Sequence, residues 1–433
     1  MRTLIKNIRI LTMDEKQTQY DNGCIVIEGD RISFLGYETA LPEGMSFNII
    51  EDGMGKLAMP GFINTHTHLG MTIFRGYAND LGLMEWLSQK IWPLEDQLME
   101  GDLYWLSLLA IAEMIRAGIT TFADMYMFME QTAQATYDSG IRGALARGLQ
   151  GPDEKSDMRL MESEELWKNW HGRGDDRIRI MLGPHAIYTC QPSYLHKCID
   201  MANKLGVGIH IHLSETQKEV EDSIREYGKT PVKHLYDMGL FDGQVLAAHC
   251  VHLSDKDIEI LKEKDVKVSH CPISNLKLGS GIAPIERMLD RGITVSLGTD
   301  GVASNNNLSI MKEMSMAALI TKGVTQNPRA IPAIRALKMA TNYGASALGW
   351  DKDIGSLSLG KKADIVLVDI DLPHYHPWAD TETHLVYSGQ SQDIHSLWVN
   401  GRRLMRGREL ITVDLDRVYY EVNRIHSRIM GDE

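Results

Sequence analysis

The chain has 433 residues, with 45 lysines and arginines against 58 aspartates and glutamates, a formal net charge of -13. That length exceeds what one small core supports and predicts a large domain with a smaller companion. The acidic balance argues against nucleic acid or an anionic membrane as the main partner, which leaves small molecules.

The five cysteines, Cys24, Cys190, Cys198, Cys250 and Cys271, are scattered and show no Cys-x-x-Cys pairing, as expected for reduced thiols in a cytoplasm. The N-terminal MRTLIKNIRILTMDEK alternates and carries charges throughout, unlike a signal peptide. No apolar run approaches the roughly 20 residues that span a bilayer. A cytoplasmic protein without a membrane partner is the expectation.

From Leu4 to Gly36, short alternating segments separated by turn residues (LIKNIRIL, GCIVIEG, ISFLG) predict antiparallel hairpins. The same texture returns near the C-terminus in ADIVLVDID, DIHSLWVNG and RRLMRGRELI. Neither end alone has enough strand to bury a core, so the two are expected to combine, with the middle of the chain inserted between them. The expected units are a composite β-sandwich from residues 1–58 and 355–420, a barrel over 59–354, and a tail over 421–433.

The middle alternates between apolar strands and helical stretches. Its strands are FINTHTH, ITTFADM, IRGALARG, RIRIMLGPHA, GIHIHLSE, VLAAHCVH, VKVSHCP and TVSLGTDG. Helical periodicity covers 84–97, 101–117, 163–170, 193–205, 219–238, 255–263 and 284–291. Eight such strands predict a parallel (β/α)8 barrel. An open doubly wound sheet fits less well, because polar residues sit at the C-terminal ends of many strands rather than at one switch point.

Those strand ends carry His66 and His68, then His185, then His212 with Glu215, then His249, His270 and Asp300. In a barrel they converge on one mouth. His66 and His68 alternate onto one strand face, and neutral imidazoles so placed suit a transition metal. His66, His68, His212 and Asp300 form a candidate set of three histidines and one carboxylate that leaves a place for water. Individually, His212 could be a core histidine and Asp300 a turn residue. Zinc is the default ion, and the ligand set also admits iron. The ends of the third and fourth strands offer no lysine to bridge a second ion, so one metal is expected. A bound metal lowers the pKa of its water from about 15.7 toward roughly 7. Asp300 could take a proton from that water while His249 orients it. Glu215, three residues past His212, could shuttle a proton to the substrate, although Ser214-Glu215-Thr216 also suits a helix start.

The segments PGFINTHTHLGM, GPHAIYTC, HIHLSET, AAHCVHL, HCPISNLKLGSG and LGTDGVASNNN resemble the amidohydrolase superfamily. Within it, the chain is most similar to the S-adenosylhomocysteine/5'-methylthioadenosine deaminase family, over essentially its whole length. The resemblance implies a distorted (β/α)8 barrel with a β-sandwich from both chain ends. It also implies one divalent metal on His66, His68, His212 and Asp300, with Glu215 and His249 in proton transfer and orientation.

Substrate contacts are expected on loops beyond the strands. Trp86 offers a flat apolar face, and Glu95 can accept from two adjacent hydroxyls. By resemblance these match a substrate-loop tryptophan and a ribose-binding glutamate. Alternatively, Trp86, Leu87 and Trp92 are an apolar helix stripe and Glu95 its solvated face. The resemblance gives His185 a purine ring nitrogen, and it gives Arg147 and Arg159 the amino-acid carboxylate of S-adenosylhomocysteine. Arg159 could instead be a solvated surface residue. His270 with Asn275 reads as support for the site or as packing, and His374, His376, His384 and His395 receive no role.

The expected reaction is hydrolytic deamination of S-adenosylhomocysteine to S-inosylhomocysteine and of 5'-methylthioadenosine to its inosine counterpart. The alternatives are another hydrolase of the branch, acting on guanine, a pterin or a triazine, and a non-catalytic scaffold barrel. The resemblance also implies self-association as a homo-oligomer, for which the sequence shows no interface signature.

Overall fold

A computed structural model of the chain describes residues 1–431. Its centre is a barrel of eight parallel strands, Phe62–Thr67, Ile119–Tyr126, Arg142–Leu149, Ile178–Pro184, Ile209–Leu213, Val245–His249, Lys267–His270 and Val295–Leu297. Each coincides with an expected strand, and spatial order follows chain order. The seam between first and eighth strands is closed by individual bonds. Asp300 N donates to His66 O at 2.9 Å, Asn64 Nδ2 donates to Thr299 Oγ1 at 2.7 Å, and Thr299 N donates to Asn64 Oδ1 at 3.0 Å.

Inside the barrel, Ile63, Ala123, Ala144, Ala146 and Leu246 pack with Trp350 and Ile354. The alanines leave room for the Trp350 ring, which plugs the end where the strands begin. Arg142 and Arg179, at or next to strand starts, lie 5.4 and 4.6 Å from its centroid.

Nine strands from both chain ends form one mixed sheet. Its centre is Leu57–Pro60, which pairs parallel with Arg2–Leu11 and antiparallel with Ile365–Val368. Strand alternation gives the sheet two buried faces. Ala58, Ile365 and Leu367 join Ile5, Ile25 and Trp398 in a core belonging to the sheet. Leu57, Met59, Val366 and Val368 face the opposite way, into the core shared with the barrel. The chain passes from sheet to barrel at Gly61, where a Cβ would lie 2.1 Å from the Thr120 side chain.

Several helical regions differ from expectation. The single helix expected over 219–238 is two, Gln217–Tyr227 and Pro231–Asp237. Gly228, with φ +68°, ends the first, and the Thr230 side chain caps the second. Met129–Ser139 is a further helix, between the second and third strands. Leu415–Met430 is one helix, so residue 421, where a tail was expected to begin, lies within it. Its Val418, Val422, Ile425 and Ile429 are buried in the barrel-side core, and Arg428 donates to Gln97 O at 3.0 Å and also bonds Asp102. Among the described residues, no helix is long and apolar enough to cross a membrane.

Candidate active site

The histidines at the barrel mouth are oriented through their Nδ1 atoms. His68 Nδ1 lies 2.6 Å from Met125 O, and His212 Nδ1 lies 2.8 Å from His185 O. A carbonyl only accepts, so both Nδ1 atoms carry the proton and both Nε2 atoms are bare in the neutral rings. These two Nε2 atoms face one another at 3.3 Å. Lone pairs that close repel unless a cation lies between them. The buried His66 Nε2 has no hydrogen-bond partner, while its Nδ1 is 2.8 Å from His210 Nε2.

Asp300 completes the cluster, its Oδ1 lying 3.4 Å from His66 Nε2 and 3.1 Å from His68 Nε2. Its Oδ2 accepts from Ser274 Oγ at 2.6 Å and Ser304 Oγ at 2.9 Å. Burial alone would raise the Asp300 pKa, but positive charge beside it at His66 and His68 Nε2 holds it well below the usual carboxylate range, and with neutral rings only a cation held among these atoms supplies that charge. This set of buried nitrogen and carboxylate donors fits a divalent metal ion.

His249 Nδ1 lies 2.8 Å from Asn275 Oδ1. An amide oxygen accepts, so His249 Nε2 is bare as well, and it sits 3.8 Å from Glu215 Oε2. Glu215 is buried, which raises its pKa, and its Oε1 accepts from Ser280 Oγ at 3.4 Å. Its backbone is held by Glu219, whose carboxylate accepts from Ser214 N at 2.9 Å and Glu215 N at 2.8 Å. Burial pushes Glu219 up to about 7. Backbone strain collects at these strand ends: Ser214, His249, Cys250 and Asp300 have φ of 51°, 70°, 50° and 62°. Left-handed conformations of non-glycine residues cost about 1–3 kcal/mol each, and they cluster where a side chain must be aimed.

A cavity of about 560 Å³ opens above this cluster. His68, His212, His249, Glu215 and Asp300 line its floor, and Trp86, Glu95, Arg147, Arg159 and His185 line its walls. Of the nominated residues only His66 does not line it, being fully buried beside the others. His185 Nδ1 lies 2.9 Å from Thr189 Oγ1, and burial lowers its pKa to about 3, which keeps the ring neutral.

Trp86 and Glu95 lie on a helical segment, Leu83–Glu95, that widens to a π-helical turn over Leu87–Ile91. Glu95 is not a solvated face: it is 8% exposed, and Tyr126 Oη donates to it at 2.5 Å. Arg159 is not solvated either, with its side chain 16% exposed. Both arginines already hold carboxylates, Arg147 Nε to Glu162 at 2.6 Å and Arg159 to Asp153 at 2.8 Å.

Asn275 serves His249, whereas His270 Nδ1 is buried without a partner. His374, His376, His384 and His395 lie outside the cavity lining. The sequence reading missed His210, Ser274, Ser304, Tyr126 and Glu219. Only His210 had a clear signal, standing two residues before His212 and so on the same strand face.

Residues 57–404 match the amidohydrolase family. A 5-methylthioadenosine/S-adenosylhomocysteine deaminase of Caldanaerobacter subterraneus subsp. tengcongensis is 50% identical over 435 residues, covering 100% of each chain. The crystal structure of an adenosine deaminase from Xanthomonas campestris with bound zinc has a TM-score of 0.95 at 30% identity, covering 99% of both chains. A zinc complex of an atrazine chlorohydrolase from Arthrobacter aurescens has a TM-score of 0.91 at 26% identity, covering 98% of this chain and 100% of that one. With a barrel-mouth cluster of this kind and a relative at such identity over its full length, the chain belongs to the amidohydrolase family.

Proposed function

We propose that the chain is a metal-dependent aminohydrolase that deaminates the adenine ring of 5'-methylthioadenosine and S-adenosylhomocysteine. The observation that carries this reading is the convergence of the bare Nε2 atoms of His68 and His212 and the unpartnered Nε2 of His66 with Asp300, directly below a cavity sized for a nucleoside. Those four residues would hold one divalent ion, zinc by preference of the donor set. When bound, such an ion supplies the Lewis acidity that makes water nucleophilic near neutral pH.

The chain's own residues do the rest. Asp300, kept ionised, accepts a proton from the attacking water. His249 Nε2, bare and fixed by Asn275, orients that water by accepting from it. Glu215, raised by burial and 3.8 Å from His249, carries a proton to the ring nitrogen next to the amino-bearing carbon. Water adds to that carbon; the proton held on Asp300 then passes to the amino group while Glu215 takes back the proton of the added hydroxyl, and the carbon–nitrogen bond breaks to release ammonia and leave the carbonyl. His185 holds a purine nitrogen, Glu95 the ribose hydroxyls and Trp86 the flat apolar face. Arg147 and Arg159 meet a carboxylate where the substrate carries one.

The test is the ultraviolet change from adenine to hypoxanthine, run on the chain as purified, after chelation, and after zinc is returned. S-adenosylhomocysteine, 5'-methylthioadenosine, adenosine and guanine are assayed in parallel. Turnover of the first two, lost on chelation and restored by zinc, is expected. Activity that survives complete metal removal would overturn the mechanism. Activity on guanine alone would move the assignment to the free-heterocycle hydrolases.

A further inference from the structure

A second cavity, of about 730 Å³, lies on the outside of the barrel and shares no lining residue with the first. It is bounded by the end of helix Glu100–Arg116, the start of helix Ile310–Thr325, the segment 386–392 and Arg408. Its charge is lopsided. Arg75, Arg116, Lys312 and Arg408 line it against a single carboxylate, Glu113, on a chain whose net charge is -13.

That carboxylate is already engaged. Arg75 takes both its oxygens, and Leu308 N donates to Oε1 at 2.9 Å. Arg116, Lys312 and Arg408 form no ion pair among the described residues, and Arg116 Nε is buried with no hydrogen-bond partner. Arg408 Nη1 donates only to carbonyls, those of Ser391, Gln392 and Ile394 at 3.0, 2.9 and 2.9 Å and that of Arg116 at 3.4 Å. Two partly buried guanidiniums thus sit together with no carboxylate in ion-pair contact with either among the described residues; Asp393, whose charge partly offsets Arg408, is itself taken up by His374 and Tyr375. Burial, and then the charge of Arg116, lower the Arg408 pKa. Leaving cations desolvated and unpaired is costly, and an anion between them removes the cost.

Two further features point to the same kind of ligand. The 16-residue helix Ile310–Thr325 starts at the cavity, which Ser309, Met311 and Lys312 line, and adds the positive end of its dipole. Asn307 Oδ1, also in the lining, is a buried acceptor without a partner, suited to a ligand hydroxyl. The rest of the lining is largely apolar, including Leu109, Met311, Val386 and Leu415.

We propose that this cavity is a binding site for a small organic phosphate monoester. The phosphate sits on Arg116, Arg408 and Lys312, and the apolar body lies over Leu109, Met311 and Val386. A doubly charged group matches three cations that form no ion pair among the described residues better than a single carboxylate does. The site stands independently of the reaction assigned to the barrel mouth.

The experiment is isothermal titration calorimetry of the metal-loaded full chain with phenyl phosphate, inorganic phosphate and benzyl alcohol. Saturable 1:1 binding of phenyl phosphate is expected, with weaker binding of inorganic phosphate and none of benzyl alcohol. Arg116→Gln should weaken phenyl phosphate at least about tenfold and Lys312→Ala at least about threefold, with turnover at the barrel mouth unchanged in both. Arg408 is left intact because its Nη1 gathers four backbone carbonyls. Absence of saturable binding, or equal affinity in wild type and both variants, would overturn the proposal.

Discussion

On the floor of the barrel-mouth cavity, His68 and His212 are aimed by the carbonyls of Met125 and His185, whereas on its wall Arg147 and Arg159 are aimed by the carboxylates of Glu162 and Asp153. The two means differ in stiffness. A carbonyl at the end of a barrel strand cannot move without the sheet, so the floor presents one geometry. Glu162 and Asp153 have side chains 40% and 48% exposed, and ion pairs of that kind are worth only about 0–1 kcal/mol. An incoming anion can share or replace them cheaply. On the proposed reading, the floor therefore fixes the reaction, while the wall adjusts to the tail of the substrate.

The sharpest way to break this contrast is at the floor. Glu215→Gln keeps the shape and removes the proton carrier, so kcat should fall by about 10²–10⁴ while metal content, measured by atomic absorption, stays the same. An unchanged kcat would take Glu215 out of proton transfer. One step further out, Asn275→Ala frees His249 to turn. A loss of about 10–100-fold is expected, as is usual for residues that orient a group at a metal site. Preserved activity would mean that His249 needs no orienter.

On the wall the effect should be smaller and selective. Arg147→Ala should lower kcat/KM for S-adenosylhomocysteine by roughly tenfold, the worth of one charged hydrogen bond, and leave 5'-methylthioadenosine nearly untouched. Equal losses on both substrates would make Arg147 structural.

The smallest effect concerns stability behind the floor, where Glu313 accepts from Ile273 N at 3.2 Å and Asn305 Nδ2 at 2.6 Å. Burial pushes Glu313 up to about 8 from an ordinary 4.5. Between those values the folded chain binds the proton more tightly than the unfolded chain, so stability is lost as pH rises through the window. Glu313→Gln removes that loss. Its Tm relative to wild type should rise from about pH 5 to about pH 9, and a pH-independent difference would rule out the titration.

The eight barrel strands were legible because each is an apolar run that ends in a polar residue, and a barrel gathers those ends by topology alone. The proposed metal cluster followed from the same order. His210 escaped because it lies below the ring formed by the other histidines, although its spacing from His212 had placed it on their face. Glu95 could be read either way on a helical stripe, and only tertiary packing decides that it points inward to Tyr126. The partners of Arg147 and Arg159 were out of reach, since Glu162 and Asp153 lie 15 and 6 residues away across a turn whose path no local periodicity gives. The break at Gly228 was written in the sequence as Gly228, Thr230 and Pro231, but was overridden by the apolar spacing on either side.

His66 and Asp300 have a second membership, because the bond from Asp300 N to His66 O also fastens the last barrel strand to the first. On the proposed reading, holding an ion and holding the circle shut are thus one task given to one pair of residues. A ligand that binds only the folded site stabilises the fold by RT ln(1 + [L]/Kd), about 2.7 kcal/mol at 100 times Kd. If the proposed ion is held there, its supply governs how long the chain survives as well as how fast it works, and starvation for it would thin the population of folded molecules along with their activity.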